Sequence, residues 1–160
     1  MFKQVIIVLI LGCLLGCERQ RQSVSKTDGK IAPSTFMLSN DSEIRVLIYQ
    51  HLIRNLLPSG SNLVFFVKLN EEEKRLLLSR VEGGEIKSPS EAKRSSDGPF
   101  VDKATGANGV ALEIKSLSVE GQKAHVRAGY FATAGIVFDF ELERDTAWKI
   151  MKCSSPNITE

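Results

Sequence analysis

The sequence predicts an α+β fold, with two N-terminal helices flanking one strand, then a four-stranded antiparallel meander, and both helices packed on one face of that sheet. Three observations lead there. Apolar residues recur at helical spacing after Asn40 and again after Asn70, a run apolar on both faces separates these two segments, and the last third alternates apolar and polar residues between short turn signals.

The 160-residue chain opens on an export signal of three zones. Lys3 supplies the positive end, Val5 to Leu11 the apolar stretch, and Leu14-Leu15-Gly16-Cys17 a lipobox. The small Gly16 fits a peptidase at the scissile bond, and the Cys17 thiol is the nucleophile that takes a diacylglycerol. A membrane span needs roughly 20 apolar residues, whereas Glu18-Arg19-Gln20-Arg21 ends this run well short of that. Ile10-Leu11-Gly12-Cys13 is a second lipobox, with Cys13 as the alternative anchor, but it leaves an apolar stretch at the lower limit of about 7 residues. The expected division is a signal over 1–16, a tether over 17–40, one domain over 41–153 with a long loop at 84–109, and a tail over 154–160.

The tether is polar, without sustained apolar period, and reaches roughly 25 Å as a flexible chain. Phe36 and Met37 interrupt it. Asn40 followed by Glu43 reads as a capping box, after which Ile44, Leu47, Ile48, His51, Leu52 and Leu56 share a helix face until Pro58-Ser59-Gly60 stops it. Leu63 to Leu69 is the strand apolar on both sides, expected to be central or covered twice. Asn70 caps the second helix, with Glu71, Glu72 and Glu73 at its positive end and Arg80 at its negative end. Leu77, Leu78 and Val81 form its buried stripe, and Gly83-Gly84 ends it. The Ser-, Pro- and Gly-rich stretch 84–109 then reads as a loop pinned by Ile86, Phe100 and Val101.

The meander comprises Val110 to Val119, Lys123 to Phe131, Ile136 to Glu143 and Ala147 to Cys153. Tyr130, Ala128, Val126 and Ala124 set opposite Ile136, Phe138, Phe140 and Leu142 make one face apolar. The same register places Arg127 opposite Asp139, His125 opposite Glu141 and Lys123 opposite Glu143, and a slip of one residue would turn phenylalanines to the charged side. Val110, Leu112 and Ile114 join the core, Glu113 reaches Arg127, and Trp148 and Ile150 complete the apolar face.

The formal charge is +2 with a mean hydropathy of -0.06. This balance gives no electrostatic footprint for nucleic acid. With Cys17 acylated and Cys13 removed, Cys153 is the one thiol left, which excludes a disulfide within the monomer. No GxSxG, HExxH or GxGxxG motif occurs, and two histidines without nearby cysteine make no zinc site of known spacing, so neither a cofactor nor a metal is expected. Asp102-Lys103-Ala104-Thr105-Gly106 lacks both the acidic spacing of a calcium loop and the ending of a phosphate loop, and reads as a turn.

Ser90-Glu91-Ala92-Lys93-Arg94, Val101-Asp102-Lys103-Ala104-Thr105-Gly106, Gly109-Val110, Ala128-Gly129-Tyr130-Phe131 and Ala147-Trp148-Lys149 resemble elements of a family of small exported bacterial proteins and lipoproteins without established activity. The resemblance covers Ile44 to Lys152 and implies domain limits without adding chemistry. Resemblance to bacterial lipoproteins in general, with Glu18 rather than aspartate after the anchor, implies the outer membrane facing the periplasm in a two-membrane cell.

The functional expectation is a lipid-anchored envelope protein carrying a small non-enzymatic binding domain, its partners the membrane through the anchor and an envelope protein. The alternative is a pocketed nuclear-transport-factor-like (NTF2-like) domain acting as a small-ligand binder or enzyme, with His51, Tyr130 or Asp139 in its cavity. Glu113, Arg127 and Asp139 form a polar face that suits either a solvated sheet or a cleft wall. No catalytic residue is assigned, and His51 reads first as a neutral core histidine satisfied by one hydrogen bond.

Overall fold

A computed structural model describes residues 38–56, 63–94, 98–132, 134–154 and 157–159. The signal, almost all of the tether, Pro58-Ser59-Gly60 and the Leu56 side chain lie outside the described residues.

The first helix, α1 (Asn40–Leu56), is capped by Ser39 and not by Asn40. Ser39 Oγ accepts from the Ser42 N–H at 3.2 Å and its carbonyl from the Glu43 N–H at 3.0 Å. Asn40 Oδ1 instead accepts from Arg144. The buried side is wider than one stripe, because Val46, Tyr49 and Ile53 are buried along with Ile44, Ile48 and Leu52. Strand β1 (Val64–Val67) is buried at every position, as a strand apolar on both faces requires.

Helix α2 (Glu71–Arg80) carries the complete capping box. Asn70 Oδ1 accepts from the Glu73 N–H at 2.8 Å, and Glu73 Oε2 accepts from the Asn70 N–H at 3.0 Å. Leu77 is its one fully buried apolar residue, whereas Leu78, expected in the stripe, is 49 % exposed. Leu76 takes the half-buried place instead.

The stretch 84–109, expected as a loop, is largely built. It holds β2 (Glu85–Lys87), a 3₁₀ turn over Pro89–Glu91, β3 (Ala92–Arg94) and β4 (Phe100–Asp102). The physical reason lies in β1. Its two faces both need cover, and β3 and β4 supply the second: Phe100 meets Phe66 at 6.3 Å between ring centroids, and the Arg94 guanidinium lies 5.0 Å from the Phe100 ring.

The remaining strands are β5 (Asn108–Glu120), β6 (Lys123–Phe131), β7 (Gly135–Arg144), β8 (Trp148–Cys153) and β9 (Asn157–Thr159). The β6–β7 register is the one the alternation demands, Tyr130 facing Ile136, Val126 facing Phe140 and Lys123 facing Glu143. The expected tail contributes β9, paired antiparallel with β7.

The expected architecture is nevertheless overturned. The molecule is one large mixed sheet in the order β2-β1-β5-β6-β7-β8, with β4 also on β5, and not a separate four-stranded meander with two helices on its face. β1 pairs parallel with β2 on one side and with β5 on the other. Its apolar residues on both faces make it an interior strand, and β5 is long enough to hold β1 and β6 at once. α1 crosses the meander, against β5, β6 and β8, while α2 packs chiefly on α1. The core between α1 and the sheet joins Ile44, Ile48, Phe65, Leu112, Val126, Phe140, Leu142 and Trp148.

Candidate functional site

Three places gather polar or reactive groups. The first surrounds His51. Its ring stands edge-on to Phe140, 5.6 Å between centroids and 84° between planes, in a cleft of about 220 Å³ lined also by Leu52, Asn55, Tyr130, Phe138 and Cys153. The fold thus brings His51 and Tyr130 together, as the pocketed alternative requires. Asp139 points away on the opposite face, in keeping with the alternation of the strand. Among the described residues His51 has no hydrogen-bond partner, so the single bond expected for it is replaced by ring packing, and burial holds its pKa below the ordinary value. Burial raises the Cys153 thiol, and its Sγ donates to the Ser154 carbonyl at 3.6 Å. No group here generates a thiolate.

The second place is the outward ladder. Arg127 faces Asp139 with 3.9 Å between charged atoms, both about half exposed. Glu113 does not join them. A register irregularity between Ile114 and Ser116 sets Ser116 opposite Arg127 and Glu113 opposite Gly129, so Glu113 pairs with Lys115 at 2.7 Å instead. Glu141 stands opposite His125 but pairs with Lys152 at 3.1 Å. These are solvated contacts of small energy, two across strands and the Glu113–Lys115 pair within β5.

The third place escaped the sequence reading. Where β1 ends and the chain turns into α2, β5 continues, and the parting of the two strands opens a cleft of about 740 Å³. Arg45 and Tyr49 of α1, Phe66 of β1, Lys68, Leu69 and Asn70 after it, Glu73 of α2, and Ala111 to Ile114 of β5 wall it. Tyr49 is 2 % exposed. Burial pushes its hydroxyl up to about 12, partly opposed by the nearby Arg45 charge and by a hydrogen bond from the Ile114 backbone. Tyr49 therefore stays neutral throughout the physiological range. The available signal was the spacing of Arg45 and Tyr49, four apart and so on one helix face, but nothing local announces that β1 and β5 are neighbours.

At the end of β4 lies a buried charge. Asp102 is 1 % exposed, and its Oδ2 accepts from Lys87 Nζ at 2.8 Å, Thr105 Oγ1 at 2.6 Å and the Thr105 N–H at 3.0 Å. The Lys87 bond, followed by those from Thr105, holds its carboxyl down at about 2. The Asp-Lys-Ala-Thr-Gly segment is thus a turn, as expected. Its Gly106 N–H returns to the Asp102 carbonyl at 2.8 Å with φ of +72°. Lys103 ties the turn to the Ser-Glu segment, its N–H reaching the Glu91 carbonyl at 2.9 Å and its Nζ the Ser90 carbonyl at 2.6 Å.

Among the described residues no three of histidine, cysteine, aspartate and glutamate are grouped to hold a metal, and no helix is long and apolar enough to cross a membrane. No family model, curated protein or solved structure matches this chain.

Proposed function

We propose that this chain is a lipid-anchored cell-envelope protein whose domain binds a partner and performs no chemistry of its own. The observation that carries the reading is the lipobox Leu14-Leu15-Gly16-Cys17, preceded by a short basic and apolar segment and followed by a polar stretch that leads to a helix cap at Ser39. Diacylation at Cys17 anchors the chain on the envelope membrane, the outer one facing the periplasm in a two-membrane cell, and the polar stretch holds the domain roughly 25 Å away from it. The binding half of the reading draws on the reactive groups, none of which is paired for catalysis among the described residues. His51 has an aromatic neighbour where a base would need a carboxylate, Cys153 has no activating cation, and Asp102 is held by Lys87 and Thr105.

Membrane flotation tests it. The wild-type chain floats with the membrane fraction in a density gradient, and Cys17→Ala stays with the unanchored protein. Equal flotation of both forms refutes anchoring through Cys17. The alternative, a small-ligand or catalytic pocket, draws on the meeting of His51 and Tyr130 in one cleft. It predicts a ligand-dependent shift of the His51 ring signals in a proton NMR titration.

A further inference from the structure

The cleft between the ends of β1 and β5 is built differently from the rest of the surface. Its volume of about 740 Å³ lies in the range of small-molecule sites, roughly 300 to 1,000 Å³. Its floor is apolar, formed by Phe66, Leu69, Leu112 and Ile114, and Tyr49 supplies a neutral hydroxyl within it.

The charges around the rim are equal in number and unequal in availability. Two carboxylates line the cleft, and both are engaged. Glu73 is buried with Oε2 on the Asn70 N–H, and Glu113 Oε2 lies 2.7 Å from Lys115. Two cations line it as well, Arg45 and Lys68, and among the described residues neither forms an ion pair or a side-chain hydrogen bond. Arg45 acts electrostatically on the Tyr49 hydroxyl, as Glu73 and Glu113 do in the opposite sense. Among the described residues the other lysine and arginine ion pairs belong to the outer ladder or to the surroundings of Asp102. An apolar floor beneath two cations without an ion pair among the described residues is complementary to one kind of ligand.

We infer that this cleft binds a small organic acid, its carboxylate held by Arg45 and Lys68 and its apolar body seated on Phe66, Leu69, Leu112 and Ile114. The guanidinium offers two parallel donors to the carboxylate, and Lys68 adds a point charge. The proposal deepens the binding reading and rests on it. It does not depend on the anchor.

The test is calorimetric titration of the purified lipidated chain in non-ionic detergent, with detergent blanks. Phenylbutyrate is the probe, and phenylbutyramide its neutral isostere. The acid saturates the protein and binds roughly ten- to a hundredfold more tightly than the amide, the range of a charge-assisted hydrogen bond. Arg45→Gln and Lys68→Gln each weaken the acid toward the amide, and Arg127→Gln, on the outer ladder, changes nothing. Circular dichroism of each variant confirms that it is folded. Equal binding of acid and amide, unchanged affinity in both cleft variants, or no saturable heat at millimolar acid overturns the proposal. The intact mass of the same preparation reports acylation separately, so the anchor and the cleft fail or stand independently.

Discussion

Gly109→Ala probes the parallel junction that makes this one sheet. Gly109 faces Val64 across β1 and β5, and its φ lies outside the left-handed region, so alanine meets no conformational penalty there. If backbone conformation alone mattered, the change would stabilise by about 0.4 to 1 kcal/mol through the unfolded chain. The added Cβ, however, falls 2.6 Å from the Val64 carbonyl oxygen and 2.5 Å from Phe66 Cε2. Reaching the 3.4 Å of ordinary contact requires the strands to part by 0.8 Å (3.4 minus 2.6), and the obstacle is backbone. Such a shift carries ladder bonds near 2.9 Å beyond hydrogen-bonding distance, at about 0.5 to 1.5 kcal/mol each, and overpacking of Phe66 adds about 1 to 3 kcal/mol. After the unfolded-state gain is subtracted, the net loss is about 2 kcal/mol. With a urea dependence of about 1.5 kcal/mol per molar, the midpoint falls by about 1 M or more. Trp148, the single tryptophan and 6 % exposed, reports the transition by fluorescence. Gly121→Ala serves as the contrast, because its φ of +61° with no atom within 4 Å implies a purely conformational cost of about 1 kcal/mol. An unchanged or raised midpoint in Gly109→Ala would refute the seating of β1 on β5.

Asn70→Ala removes one half of the α2 capping box and leaves the Glu73 N–H unpaired, so thermal unfolding shows a loss of about 1 kcal/mol, and Asn70→Asp recovers most of it. Acid titration of stability isolates Asp102. Its folded pKa is depressed, so its contribution is complete above the ordinary value of 3.8 and is lost as pH falls from there to about 2. Asp102→Asn, followed by urea unfolding across that window, flattens the wild-type slope, and equal slopes in the two proteins count against the buried pair. Arg127→Ala shifts the urea midpoint by less than the equivalent of about 0.5 kcal/mol, because the Arg127–Asp139 pair is exposed and 3.9 Å apart. A larger loss would mean that the ladder is covered.

The parts of the fold legible in the sequence are those fixed by neighbours in the chain. Alternation over the nine residues of β6 and the ten of β7 fixes which residues share a face, since a slip of one residue puts Phe138 or Phe140 beside Arg127. The capping of α2 was legible because Asn70 and Glu73 lie within one turn. The pairing of β1 with β5 was not, for it joins Val64 to Gly109 and leaves only an apolar strand and a glycine as traces. The strands of 84–109 were hidden by their length, three residues each, too short for a period to show. The same non-local pairing hid the cleft, whose walls come from α1, β1 and β5, while His51 and Tyr130 were recoverable because each sits on an apolar face already assigned. Glu113 was misplaced by a single irregularity at Lys115, which alternation cannot foresee.

The claim on which the functional account rests is that Cys17 carries the lipid, and metabolic labelling with radioactive palmitate tests it most directly. Wild-type chain and Cys13→Ala incorporate label, and Cys17→Ala does not. Label persisting in Cys17→Ala but lost in Cys13→Ala would move the anchor to Cys13, and no label in any form would contradict the account.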